Sequence, residues 1–424
     1  MSPAPPPYTL VRRAAAGRAP LLDPEQQAVV AHRGGPLLVL AGPGTGKTTT
    51  LVEAVLDRMS GEAAVRPEEI LVLTFSRAAA AELRDRIGAR VGETVGLPGA
   101  TTFHAFCFAL LGRFKDPTLF SEPLRLLSGP EQDVFIRELV RGTIDPATGW
   151  QGGTGSSDAV RWPAALRAAL GTRGFAEELR AVLLRAREQG LDPSLLRGYA
   201  ERVDRDDWRA AARFFGEYLD VADARGVLDY AELVHRAVLL AETPEVRAQL
   251  RSAYRVIFVD EYQDTDPAQV RLLEALAGDG RELVVVGDPD QSIYAFRGAD
   301  LHGILEFPDR FRSIEGAPAR IAVLRTSRRA GPTLLQASRR VTRRMPISRL
   351  PTEAVRAHRD LLTAADGPIE GDVGVLLFPA ASVEQAAIAD LLRRAHLEEG
   401  IEWADMAVLT RTGNQLSALR RALT

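Results

Sequence analysis

The chain has 424 residues, 46% of them hydrophobic and 26% charged, which fits a globular protein of two or three domains and excludes a largely disordered one. A net charge of −3 announces no nucleic-acid binder by itself, and a single cysteine, Cys107, excludes a disulfide framework and thiolate-clustered metal sites. Of 53 basic residues only Lys47 and Lys115 are lysine, so a lysine kept at a chemically demanding position carries information.

The opening MSPAPPPYTL lacks the charged and apolar regions of a secretory signal, and residues 1–20 are expected to form a flexible tail. No apolar run approaches the ~20 residues a membrane-spanning helix needs, so no membrane association and a cytoplasmic location are expected. Residues 36–41 (PLLVLA) form an apolar run of strand length, AGPGTGKT follows at 41–48, and TTLVEAVLDRM suits an amphipathic helix. Strand, glycine-rich loop and helix are the context that makes a phosphate loop of Ala41, Gly42, Pro43, Gly44, Thr45 and Gly46. The glycines let successive N–H groups turn toward phosphate oxygens, and the helix N-terminus adds partial positive charge. Lys47 is placed to reach β- and γ-phosphates as a slim point charge, where arginine would be bulky and planar, and Thr48 to ligate Mg2+.

A second strand is expected over 70–75. Residues 106–225 show helical periodicity with hardly a strand signal and predict an inserted helical subdomain; inside it, ATGWQGGTGSSDA (147–159) reads as a loop and Cys107 as apolar packing. RVIFVD (255–260) predicts a buried strand ending in Asp260, suited to hold magnesium, and Glu261, suited to orient or deprotonate an attacking water. Asp266-Pro267-Ala268-Gln269 predicts a helix start with Asp266 as N-cap. ELVVVGD (282–288) predicts a third strand, with Gln291 just past it in reach of a γ-phosphate. Tyr294, Phe296 and Arg297 then make an aromatic–basic cluster of the kind on which single-stranded nucleic acid stacks. From about 317 a second α/β unit is predicted, with IAVLR, DVGVLLF and DMAVLT as strands and Ser382-Val383-Glu384-Gln385 as a capping box. Residues 320–359 carry eleven arginines against one acid, Glu353: a stripe for phosphates or a partner, or a solvated helical face. The six histidines show no ligand spacing, so no metal site built on them is expected.

AGPGTGKT, VDEYQDTDPAQ and VGDPDQSIYAFRGAD resemble motifs I, II and III of the superfamily 1 DNA helicases of the UvrD, Rep and PcrA type. LDPEQQAV (22–29) resembles the family's Q motif, which implies that Gln26 reads an adenine edge. LTFSRAAAAEL (73–83) and TTFHAF (101–106) resemble motifs Ia and Ib, which implies DNA contacts at Thr74, Phe75, Ser76, Thr102, Phe103 and His104. LRTSRRAGPTLL (324–335) resembles motif IV and puts Arg329 where the family has its arginine finger. Departures fall at Arg77-Ala78 in motif Ia, at Phe296 in place of tryptophan, and at Ser327-Arg328, where the family's adenine-stacking tyrosine is absent.

The resemblance implies an α/β P-loop NTPase with a RecA-like parallel sheet. Domain 1A would span 21–105 and 226–316, helical domain 1B 106–225, and an incomplete domain 2A 317–424, motifs V and VI having no counterpart. It further implies an ATP- and Mg2+-dependent translocase or helicase on single-stranded DNA, of 3′→5′ polarity, in double-strand break repair and recombination. The alternative is an ATP-responsive DNA-end-binding subunit of a larger helicase–nuclease. YTLVRR and SGPEQD most resemble the AdnA-type subunits of bacterial AdnAB helicase–nucleases, which implies an AdnB-like partner.

Overall fold

The computed structural model describes residues 19–61, 63–91, 96–114, 125–142, 160–294, 299–365, 367 and 370–423. Residues 1–18 of the expected tail, the loop at 147–159, and Phe296 and Arg297 lie outside the described residues. Two compact units divide the chain, residues 1–369 and 370–424.

In chain order the first unit holds strands β1 (Pro36–Ala41), β2 (Ile70–Thr74), β3 (Gly99–Thr102), the two-residue β4 (Arg125–Leu126) and β5 (Val227–Leu228), β6 (Val256–Val259), β7 (Glu282–Gly287), β8 (Arg320–Leu324), and the two-residue β9 (Thr326–Ser327) and β10 (Leu362–Thr363). Six of them form one sheet in the order β3-β2-β6-β7-β1-β8, every neighbouring pair parallel. Its central strands are apolar but for Glu282 at the start of β7 and Thr74 at the end of β2, because both faces are covered. Leu38, Leu40, Leu71, Leu73, Ile257, Val259, Leu283 and Val285 enter one core. Their alternates, Leu37, Val39, Ile70, Val72, Val256, Phe258, Val284 and Val286, enter the other.

Between β3 and β6 the described residues are mostly helical, and they build a third core around Trp162, Phe175, Phe214, Phe215 and Tyr218. Asp266 caps the helix Pro267–Ala277 by accepting from the Gln269 N–H at 2.8 Å, with Pro267 at its first position, as expected. Cys107 is fully buried, and its thiol pKa is raised well above the ordinary range by that burial.

Three expectations are corrected. The strand at 320–324, predicted to open a second α/β unit, instead pairs in parallel with β1 and completes the first sheet. In the second unit the apolar stretches 372–378 and 405–410 are not strands. Val375, Leu377 and Leu409 are more than four-fifths exposed, and among the described residues no neighbouring strand supplies the hydrogen bonds that hold extended chain in a ladder. The helix Ala381–Glu399 starts two residues earlier than expected, after Ala380 and without a side-chain cap. Ser382 therefore stands inside the first turn, where helical backbone geometry denies it the capping role. Among the described residues of this unit only Ala389 and Leu419 are buried.

Candidate active site

The order β6-β7-β1 brings three strand ends together. β1 runs into the loop 42–46, and Gly44 and Gly46 both adopt left-handed backbone, with φ of 74° and 82°. A side chain at Gly44 would stand 2.5 Å from the Arg329 Cβ, and one at Gly46 would stand 2.6 Å from the Gln26 amide nitrogen, so glycine is required twice over. The helix Lys47–Arg58 begins directly after the loop, leaving its first N–H groups without intrahelical acceptors, an arrangement suited to an anion.

Lys47 leans from that helix start toward β6. Its Nζ lies 3.3 Å from Glu261 Oε2, across 214 residues of sequence. Glu261 adopts left-handed backbone at φ 50°, a conformation that side chains other than glycine resist and that concentrates at functional sites. Gln263 ties the centre together: its Nε2 donates to Glu261 Oε2 at 2.7 Å, and its Oε1 accepts from the Asp288 N–H at 3.0 Å. Asp260 is buried, and burial together with the neighbouring Glu261 pushes its carboxyl up to about 6, against the pull of Lys47. Asp264 is pushed up to about 6 by burial and then by Glu261. One lysine facing this set of acids leaves it short of positive charge, so Asp260, with Thr48 at the helix start, fits a divalent cation.

The segment after β8 lies on the loop. Ser327 Oγ donates to the Pro43 carbonyl at 2.9 Å and the Arg328 N–H to the Gly44 carbonyl at 2.8 Å. The Arg328 guanidinium pairs with Asp23 at 3.0 Å, and Leu361 packs so tightly on Gly42 that a Cβ there would meet its methyl at 2.9 Å. Arg329 is exposed at the mouth of this arrangement.

The profile of the UvrD/REP helicase N-terminal domain matches residues 22–312. The chain belongs to the UvrD/REP helicase family. It is 31% identical to DNA helicase II of Escherichia coli over 296 residues, which is 70% of this chain and 37% of that protein. Against ATP-dependent DNA helicase UvrD1 of Mycobacterium tuberculosis the identity is 33% over 68% of this chain and 35% of the relative. Against ATP-dependent DNA helicase PcrA of Staphylococcus epidermidis it is 26% over 94% of this chain and 49% of the relative. The chain thus spans about half the length, or less, of these curated relatives.

In this UvrD/REP-family chain Gln26 is buried and its amide is occupied. Oε1 accepts from the Asp23 N–H at 3.1 Å and Nε2 donates to the Thr45 carbonyl at 3.1 Å. These bonds make its side chain a brace on the phosphate loop. At the β2 and β3 ends, Phe75 stacks on Tyr294 with ring centroids 4.7 Å apart, and His104 meets Tyr230 edge-on at 5.2 Å. Burial lowers the His104 pKa. Phe75, Thr102 and His104 line a cavity of about 1210 Å³ whose far wall, including Arg180, Arg187 and Phe215, comes from the helical insertion; the phosphate loop takes no part in it.

Other residues expected at DNA have these surroundings. Thr74 is fully buried and its hydroxyl has no partner, while Phe103 is a member of the sheet core, so neither side chain faces solvent. Ser76 and Thr102 spend their hydroxyls on helix starts, accepting from the Ala79 and Ala105 N–H groups at 3.1 and 3.2 Å.

Sequence reasoning missed Gln263, Asp288 and His358. Gln263 stands inside the quoted VDEYQD, where its position between two carboxylates was the available signal. His358 offered none. Asp288, Asp290 and His358 place ligand atoms within 4.8 Å of one another, a grouping the histidine spacing did not foretell. Arg359 already holds Asp290 through two bonds of 2.7 and 2.8 Å, so a cation there would compete with a guanidinium. The arginine-rich stretch is partly structural: Arg328, Arg349 and Arg359 are each paired with a carboxylate outside it.

Proposed function

We propose that the chain is the nucleotide-binding part of an ATP-dependent single-stranded DNA translocase or helicase acting in DNA repair, with 3′→5′ polarity carried over from the family resemblance. The observation that carries this reading is the meeting of Lys47 with Glu261 and Gln263 at the ends of the parallel strands β1 and β6, which flank β7, with the Gln291 turn after β7 joined through Asp288. Lys47 draws the β- and γ-phosphates against the N–H groups of the loop 42–48. Thr48 and Asp260 would hold Mg2+, which neutralises phosphate charge and orients the leaving group. Glu261 positions and deprotonates the attacking water, Gln291 contacts the γ-phosphate, and Arg329 stabilises charge as it develops. DNA bases stack at Phe75 and Tyr294, with Phe296 and Arg297 following in sequence and His104 on the neighbouring strand end.

The domains proposed are 1A (21–105 and 226–316, together with the strand 320–324 that completes its sheet), 1B (106–225) and the beginning of 2A after that strand. A finer assignment, an AdnA-type subunit with an AdnB-like partner on DNA ends, is supported by the YTLVRR and SGPEQD phrases. An ATPase assay with and without single-stranded DNA tests the motor reading. Strong stimulation is expected; ATP binding without DNA-stimulated turnover would favour an ATP-responsive end-binding subunit instead.

A further inference from the structure

The turn that carries Gln291 is gripped from one side. Asp288, 1% exposed, accepts from Gln291 Nε2 through Oδ2, while its Oδ1 receives the Asp290 N–H at 2.9 Å and faces His358 Nε2 at 2.9 Å. Two residues along, Asp290 takes the paired bonds from Arg359. His358 and Arg359 are consecutive residues at the C-terminal end of one helix, Thr352–Arg359, so a single rigid element holds two carboxylates of one turn. Burial would raise the Asp288 carboxyl, yet the bonds from His358 and Gln291 and the charge of Lys47 hold it below the usual range. It therefore stays an anion and a strong acceptor.

Two residues past the end of this helix comes Leu361, which presses on Gly42, and upstream of it lie Ser327 and Arg328, which bond to the phosphate-loop carbonyls. A displacement of the segment on the loop must then be felt at Asp288. We propose that His358 and Arg359 form a clamp that ties the segment over the phosphate loop to the Gln291 turn, with His358 acting through Asp288 as a positioning residue for Gln291. His358 Nδ1 is buried without a partner. Among the described residues only its Nε2 end makes a bond, so the His358 arm of the clamp depends on that one N–H. The inference rests on the proposed ATP site and goes beyond it, because His358 touches no group expected to meet nucleotide.

The test uses the full chain and compares parent, His358→Ala, His358→Gln and His358→Asn in ATP turnover, KM for ATP, melting temperature, and preference for a non-hydrolysable ATP analogue over ADP. Glutamine returns an N–H near the Nε2 position; asparagine stops short of it. Alanine and asparagine are expected to lower turnover about tenfold through misplacement of Gln291, with KM within about twofold of the parent, and to narrow the preference for the analogue. Glutamine should recover most of both. Alanine at parental turnover and preference, or glutamine as impaired as asparagine, would overturn the clamp while leaving the ATP site standing. If alanine fails to fold, the glutamine–asparagine pair decides. A parent that binds neither nucleotide would sink the ATP site and the clamp together.

Discussion

The carboxyl edge of the sheet has two halves made of different materials. Where β6, β7 and β1 end, side chains are charged or amide-bearing and bonded to one another: Lys47 to Glu261, Glu261 to Gln263, Gln263 to Asp288. Where β2 and β3 end, Phe75, Tyr294, His104 and Tyr230 meet ring to ring around a large cavity. The first half is an electrostatic site, built for a small, highly charged ligand whose position must be fixed. The second offers π-faces, which accept any base and so tolerate a ligand that moves. Substitutions in one half should therefore separate nucleotide chemistry from nucleic-acid binding.

The largest effect is expected at Glu261. Glu261→Gln keeps the side chain's size and a carbonyl oxygen to face Lys47 but cannot take a proton, so turnover should fall by roughly 10²–10⁴. ATP affinity, read by equilibrium binding of a fluorescent analogue, should stay near that of the parent. Turnover within a fewfold of the parent would remove Glu261 as the base. Lys47→Ala strikes the ligand rather than the water. Loss of a charged bond to phosphate should weaken ATP binding by about 1.5–3 kcal/mol and leave single-stranded DNA binding unchanged. Equal nucleotide affinity in parent and variant would break the electrostatic half of the comparison.

The two halves also differed in how far the sequence revealed them. β1, β6 and β7 are buried on both faces, so they had to be continuous apolar runs, and their ends named Lys47, Asp260 and Glu261 directly. β8 was legible as a strand, but nothing in IAVLR says which sheet it joins; that depends on a partner 283 residues earlier. DVGVLLF reads the same as β7 to a hydropathy count, yet it has no ladder in the second unit. Propensity supplies the strand and tertiary pairing decides it. Phe75 and Phe103 both follow strands, and only packing separates the ring at the cavity from the ring in the core. The bond between His358 and Asp288 spans 70 residues, and although Asp288 stands inside VGDPDQSIYAFRGAD, no motif marks the His358 end of the contact.

Asp260 sharpens the comparison through stability. Its carboxyl titrates near 6 in the fold, above the ~3.9 of an unfolded chain. Between those values the native state holds a proton that the unfolded state has lost, so stability falls as pH rises through that window and the full penalty stands above it. Asp260→Asn removes the penalty. The variant should match the parent near pH 4 and be more stable at pH 7.5 by on the order of 2–3 kcal/mol, visible as a higher melting temperature. A gain that is the same at both pH values would refute the buried-acid account. Phe75 carries no ionisable group, although the raised acid Asp264 lines the same cavity, so replacing Phe75 removes no such penalty and should give no comparable pH-dependent gain.

The smallest effect is expected at Phe75 itself. Its ring stacks on Tyr294 at 4.7 Å, so each ring already offers the other a partner before any base arrives. Phe75→Ala removes one stacking face and leaves Tyr294, whose own face can still receive a base. The loss in single-stranded DNA affinity should therefore sit at the low end of the range for such platforms, about 1 kcal/mol, while Tyr294→Ala in the same background should add to it less than its own single-variant cost. Nucleotide affinity should not move, because the cavity at Phe75 is lined by none of the residues 42–48. Binding measured by fluorescence anisotropy on an oligonucleotide, at fixed salt, reads both quantities in one preparation. A Phe75→Ala chain that loses ATP affinity in step with DNA affinity would mean that the two halves of the sheet edge are one site.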